Sequence, residues 1–149
     1  MLKIRSARTA ALTIAAVAAF TVAGAGAAQA SPAIPLNGGQ ESPAPNDFGA
    51  HGWFSYEIDD ALNEFCYTLE VTGLSAPATA AHVHVAPRNV PGPVVIPLLV
   101  PSATDFSVGG CTTVNDEALL DAIAANPKAY YVNVHDSNNM SGEIRGQLK

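Results

Sequence analysis

Period-two alternation limits what this chain can fold into more than any other feature. Between residues 53 and 58, Phe54, Tyr56 and Ile58 fall on one side of an extended chain, with Trp53, Ser55 and Glu57 on the other. Between 65 and 71 the pattern is stricter, with Phe65, Tyr67, Leu69 and Val71 set against Cys66, Thr68 and Glu70. Successive side chains of a strand point to opposite faces, so these runs read as half-buried antiparallel strands. Asn63 and Gly73 punctuate their ends. Further strands are expected around Ile34 to Gly39, Ala81 to Val85, Pro93 to Val100, Asp105 to Val114, Tyr130 to His135 and Gly142 to Leu148. Pro97 confines its run to a sheet edge or a bulge, because proline cannot donate to a ladder.

One stretch departs from the pattern. Across 115–126, Asn115 can cap a helix, Asp116 and Glu117 suit its first turn, Leu119, Leu120 and Ile123 form an apolar stripe, and Pro127 stops it. Seven or eight short strands with frequent turn signals and one short helix describe an all-β protein. The expected architecture is a Greek-key antiparallel β-sandwich of immunoglobulin-like or superoxide-dismutase-like form.

Residues 1–30 are expected to be a cleaved secretory signal peptide. Lys3, Arg5 and Arg8 precede an uncharged apolar stretch from Ala10 to Ala23, and Ala28-Gln29-Ala30 gives the small-x-small cleavage pattern before Ser31. The stretch is short and followed by no basic stop-transfer segment, so no membrane span is expected after cleavage. The Ala-rich leader has a bacterial look. Residues 31–149 are then one domain of ordinary length, placed outside the cell. Three of the seven Lys and Arg residues lie in the leader, leaving four against all 13 Asp and Glu. Such a balance offers no electrostatic footprint for nucleic acid. In an oxidising compartment Cys66 and Cys111 are expected to pair, a bridge worth roughly 4 kcal/mol in the chain-entropy model.

Three of the four histidines fall in two of the strand-like runs. His82 and His84 share a face of Ala81-His82-Val83-His84-Val85, about 7 Å apart at Cα. Tyr131, Asn133 and His135 share a face of the run 130–135. With the valines inward, all three imidazoles face outward. That arrangement is either a site for copper or zinc or a polar sheet surface. His51 is a conceivable fourth imidazole, but its spacing does not require it to approach the others. In the tail, Glu143, Arg145 and Gln147 share a face beside Asn133 and His135. They form either a cross-strand hydrogen-bond ladder or outer support for the metal, with Arg145 orienting an anion or holding His135 through a carboxylate. Pro87, Pro91 and Pro93 imply a stiff loop and a binding edge. No nucleophile elbow, phosphate loop or calcium repeat is present.

Several segments together resemble the CHRD domain, a family named for chordin and also found as single secreted domains in bacteria. They are Leu36-x-Gly-x-x-Glu41, Gly73-Leu74, Ala80-Ala81-His82-Val83-His84, Gly92-Pro93-Val94-Val95, and Tyr131-Val132-Asn133-Val134-His135 leading to Gly142-Glu143-Ile144-Arg145-Gly146-Gln147-Leu148. The resemblance covers residues 31–149 in order and implies a secreted β-sandwich; it supplies no established activity. The H-x-H on one strand and a histidine on a later one are also similar to the copper side of copper–zinc superoxide dismutases, with Arg145 matching the anion-guiding arginine there. No bridging histidine or zinc loop accompanies them.

The expectation is therefore a secreted, non-catalytic binding module for an extracellular protein or envelope component. Its candidate metal ligands are His82, His84 and His135, with Asn133, Glu143 and Arg145 behind them. The competing readings are a copper-dependent, dismutase-like enzyme and a structural matrix or adhesion protein.

Overall fold

The computed structural model describes residues 32–45 and 49–149; the expected leader, 1–30, lies outside them. Eight strands run in chain order: β1 (Ile34–Asn37), β2 (His51–Asp59), β3 (Glu64–Thr72), β4 (Ala78–Val85), β5 (Val94–Leu98), β6 (Phe106–Thr113), β7 (Tyr130–Asp136) and β8 (Ile144–Gln147). One helix, α1 (Glu117–Ala125), joins β6 to β7. Every expected strand forms, and the helix is a turn shorter than its sequence signals. Its cap is Asp116, whose carboxylate accepts from the Leu119 amide at 3.2 Å, rather than Asn115. Leu120 and Ile123 bury its apolar stripe.

All pairings are antiparallel, in the order β5-β4-β7-β8-β1-β2-β3-β6. The two faces of the expected sandwich are thus one continuous sheet rolled onto itself. Its edge strands approach one another: the Thr112 hydroxyl donates to the Pro97 carbonyl at 3.2 Å, and Tyr67 exchanges hydrogen bonds with both the amide and the carbonyl of Leu99. Across that near-closure β4, β5 and β6 follow one another and β7 returns beside β4, which is a Greek-key path. Pro97 sits on β5 at the sheet edge, as its missing donor demands. At the seam between the halves, β1 meets β8 through the register pair Asn37 and Arg145.

The alternation predicted for β2 and β3 holds. Phe54, Phe65, Tyr67, Leu69 and Val71 point inward, and Phe54, Tyr56, Phe65 and Tyr67 stack at 5.0–6.4 Å. Ala81, Val83, Val132, Val134 and Ile144 meet them from the other half. Cys66 lies opposite Cys111 in the β3–β6 ladder and is bonded to it, on the outer surface of the sheet.

Strand β7 breaks the alternation. All seven of its residues are buried, so both of its faces are covered. Its valines enter the core. Its polar face lies under three segments: the loop 86–93, the turn 137–142, and the chain around Gln40 and Glu41.

Candidate metal centre

The outward face of β4 and β7 is a buried polar layer, not a solvated one. His82 lies opposite Asn133 across the ladder and His84 opposite Tyr131, with His135 one diagonal step from His82. His84 and His135 are only 6 % and 9 % exposed, and His82 is half-buried. One ring nitrogen from each of the three lies within 4.8 Å of the other two. The closest approach is His82 Nδ1 to His135 Nε2 at 3.1 Å. Two ligands at zinc or copper distances, with an angle of 90–110° between them, would stand about 3 Å apart, so this separation suits a shared ion.

Backbone carbonyls settle which nitrogens face inward. A carbonyl can only accept, so His84 Nδ1 carries the proton donated to Gly92 O at 2.8 Å, and His135 Nδ1 carries the one donated to Met140 O at 3.0 Å. His135 then turns an Nε2 lone pair toward His82, while His84 Nε2 faces Asn133. Anchoring one ring N–H on a carbonyl is the usual way a ligating histidine is oriented. His82 Nδ1 donates to His135 Nε2, and a metal would take both of those lone pairs after the His82 proton moved to Nε2. The fourth partner is Asn133, whose side-chain amide lies 2.9 Å from His84 Nε2. The Asn133 Nδ2 donates to Ser141 O at 3.3 Å, so its Oδ1 is the atom turned to His84.

Burial pulls all three imidazoles toward the neutral form that ligates. His135 is lowered to about 4, chiefly by desolvation, against the hydrogen bond to Met140 and with help from the neighbouring histidines. His82 and His84 are lowered by the same cause, with like-charge contributions from His84 and Arg145 respectively.

The tail residues hold the two carbonyls that aim these rings. Arg145 is fully buried; its Nη1 donates to Val90 O at 2.9 Å and its Nη2 to Pro87 O at 2.8 Å. Gln147 donates to Ala86 O at 2.7 Å. Together they pin the loop that presents Gly92 O to His84. The Arg145 guanidinium also lies 3.3 Å from the centroid of the Tyr131 ring, which stacks on His84 at 4.7 Å and 4°. Glu143 accepts from the Ser75 amide with both oxygens, and Asp136 accepts from Ser75 Oγ and from the Asn138 and Asn139 amides. Burial and the adjoining Asp136 raise Glu143 to about 7, while Asp136, despite its own desolvation, is lowered by hydrogen bonds from Glu143, Ser75 and Asn139. This knot fixes the turn that presents Met140 O to His135.

These contacts revise the roles expected of the tail. Arg145 forms no cross-strand ladder and guides no anion, because both of its terminal nitrogens are engaged by loop carbonyls under full burial. Nor does it reach His135 through a carboxylate; that ring is held by a carbonyl. His51 lies on exposed β2, bonded to Gly49 O, and does not join the cluster. No role was expected of Glu41, which is buried against Asn133 and Arg145 and raised to about 7, above all by desolvation. Nor was Tyr131 marked as a stacking platform. Glu41 does stand in the Leu36-x-Gly-x-x-Glu41 motif, a burial signal only in hindsight.

A second grouping, Glu64 with Cys66 and Cys111, offers no comparable site because its sulfurs are bonded to each other. Among the described residues no helix is long and apolar enough to cross a membrane. No curated protein matches the chain, and no solved structure does. A family model does: the CHRD domain model matches residues 33–148, from just before β1 to just after β8, and the chain accordingly belongs to the CHRD domain family.

Proposed function

We propose that this protein is a secreted, non-catalytic CHRD binding module that carries a copper or zinc ion on His82, His84 and His135. The observation that carries the metal reading is the convergence of one ring nitrogen from each of His82, His84 and His135 within 4.8 Å, with two of the rings held by the Gly92 and Met140 carbonyls. A polar sheet face needs no such convergence. Extracellular placement draws support from family membership and from the Cys66–Cys111 disulfide, a bond that persists in oxidising compartments. The dismutase-like alternative uses the same imidazoles but lacks its steering cation, since Arg145 is buried and engaged elsewhere.

The deciding experiment is metal content and titration, comparing the wild type with the His82→Ala, His84→Ala double variant. Near-stoichiometric copper or zinc in the wild type and none in the variant is the expected result. A wild type that takes up no metal on titration would leave a metal-free binding module and sink the site.

A further inference from the structure

The described residues contain four lysines and arginines, and one of them, Arg145, is buried. The other three, Arg88, Lys128 and Lys149, are all exposed and all line the same groove, of about 400 Å³. Of its apolar residues Pro35 is the exposed one, Ile34 and Leu148 belonging to the core beneath it, and none of the residues that line it is acidic. In a domain that carries 13 Asp and Glu, this concentrates every exposed Lys and Arg of the described residues on one apolar depression. Solvated charges placed for solubility would be scattered, and acids would be among them.

The groove is also built, not a chance gap between side chains. Arg88 sits at the tip of a loop held on both sides: Arg145 donates to Pro87 O and Val90 O, and Gln147 donates to Ala86 O. The same Gln147 amide donates to Lys128 O at 2.9 Å, so one side chain fixes the backbone beneath two of the cations. Lys149 lies two residues past the end of β8, and its ammonium reaches Ala33 O at 3.5 Å. The histidine cluster shares no residue with this lining, and the groove does not depend on a metal being bound.

We infer that this groove binds an acidic peptide segment of a partner protein, with an apolar side chain against Pro35 and carboxylates facing Arg88, Lys128 and Lys149. Three separated cations call for more than one carboxylate, which disfavours a single-headed fatty acid. A membrane or a second copy would bring an extended anionic surface against the acidic domain, whereas a short peptide meets only the cations within a screening length of the groove. Apolar anchoring with a charged rim is how such surfaces gain both affinity and orientation.

The test uses full-length mature protein and a capped hexapeptide of four glutamates and two leucines, followed by amide NMR shifts and calorimetry. Expected are shifts at Ile34, Arg88, Lys128 and Leu148. Affinity should fall at least tenfold for the peptide with glutamines in place of glutamates, and at least tenfold for the Arg88→Gln, Lys128→Gln, Lys149→Gln variant. All three positions are exposed, so the fold should persist, which the unchanged remainder of the spectrum verifies. Equal binding of the uncharged peptide overturns the proposal, as does an absence of shifts at millimolar peptide. Saturation by dodecanoate but not by peptide overturns it in favour of a fatty-acid site. Wild-type self-association that the triple variant abolishes overturns it in favour of a second copy.

Discussion

His84 Nδ1 donates to the Gly92 carbonyl at 2.8 Å, across eight residues of chain. That bond is the end of a relay that starts on another strand, at Arg145. The loop between His84 and Gly92 has no secondary structure of its own to hold it, and the Arg145 fork supplies what a ladder would. The orientation of His84 and the order of its loop are therefore tied to one buried cation, and any metal affinity with them.

Replacing Arg145 by lysine should impair both. Lysine keeps the charge but loses the planar fork and the stack on Tyr131. We expect a loss of about 2–4 kcal/mol in unfolding free energy, from buried carbonyls left without donors. Zinc affinity should fall at least tenfold at temperatures where the variant is still folded, measured by competition with a chromogenic chelator. Unchanged zinc affinity in a destabilised variant would break the relay from Arg145 to His84.

Metal should stabilise the fold through mass action. Zinc at about 100 times its dissociation constant adds roughly 2.7 kcal/mol. For a domain of this size that should raise the melting temperature by about 10 °C. The His135→Ala variant should show no rise, and a chelator should abolish the wild-type one. Calorimetric scans with and without zinc check both.

Glu41 sets an alkaline limit. Its folded pKa is raised from 4.5 to about 7, so its contribution to stability is complete below pH 4.5 and is lost as the pH climbs through 7. Glu41→Gln removes the ionisation. The variant should gain on the wild type between pH 4.5 and 8, by on the order of 3 kcal/mol at the upper end. The histidines act in the opposite sense. Their lowered pKa values favour the fold above pH 6.5 and cease to do so as the pH falls toward 4. Melting temperatures of both proteins across pH 4–9 resolve the two contributions.

Gly142 is a position where a methyl group has no room. Its φ is 125°, and a Cβ there would run into the Glu41 carboxylate and the Asn133 amide. Gly142→Ala should cost about 2–3 kcal/mol, from backbone strain and displaced buried polar groups together. It should also weaken zinc binding by displacing Asn133 from His84. Denaturant unfolding and zinc titration of the same preparation test the pairing of the two effects.

The disulfide should be separable from the site. Cys66 and Cys111 join β3 to β6, in the half of the sheet away from β4 and β7. Cys66→Ala, Cys111→Ala should lower stability by roughly 4 kcal/mol. Zinc affinity at low temperature should stay within twofold of the wild type.

The strands were legible because one face of each is apolar and the other is not. Phe65, Tyr67, Leu69 and Val71 declare a strand whatever surrounds them. The pairing of Cys66 with Cys111 and the edge position of Pro97 follow from similarly local chemistry. The histidine convergence was half legible: H-x-H fixes a shared face, but only the return of β7 beside β4 brings His135 to it. Alternation misled at β7, where Asn133 and His135 look solvent-facing until loops fold over them. Burial conferred by a loop leaves no periodic mark. For the same reason Arg145 and Glu143 read as surface residues, although both are inaccessible to solvent.

The seam between β1 and β8 has a consequence for the order of folding. Asn37 and Arg145 are more than a hundred residues apart in sequence, yet they close the sheet. Contacts of that span carry a large loop-closure entropy and form late. A nascent chain lacking β8 would have no Ile144 or Leu148 for its interior and no Arg145 or Gln147 to secure its loops. The domain should therefore remain uncommitted until nearly its last residue is available, and then close in one cooperative step.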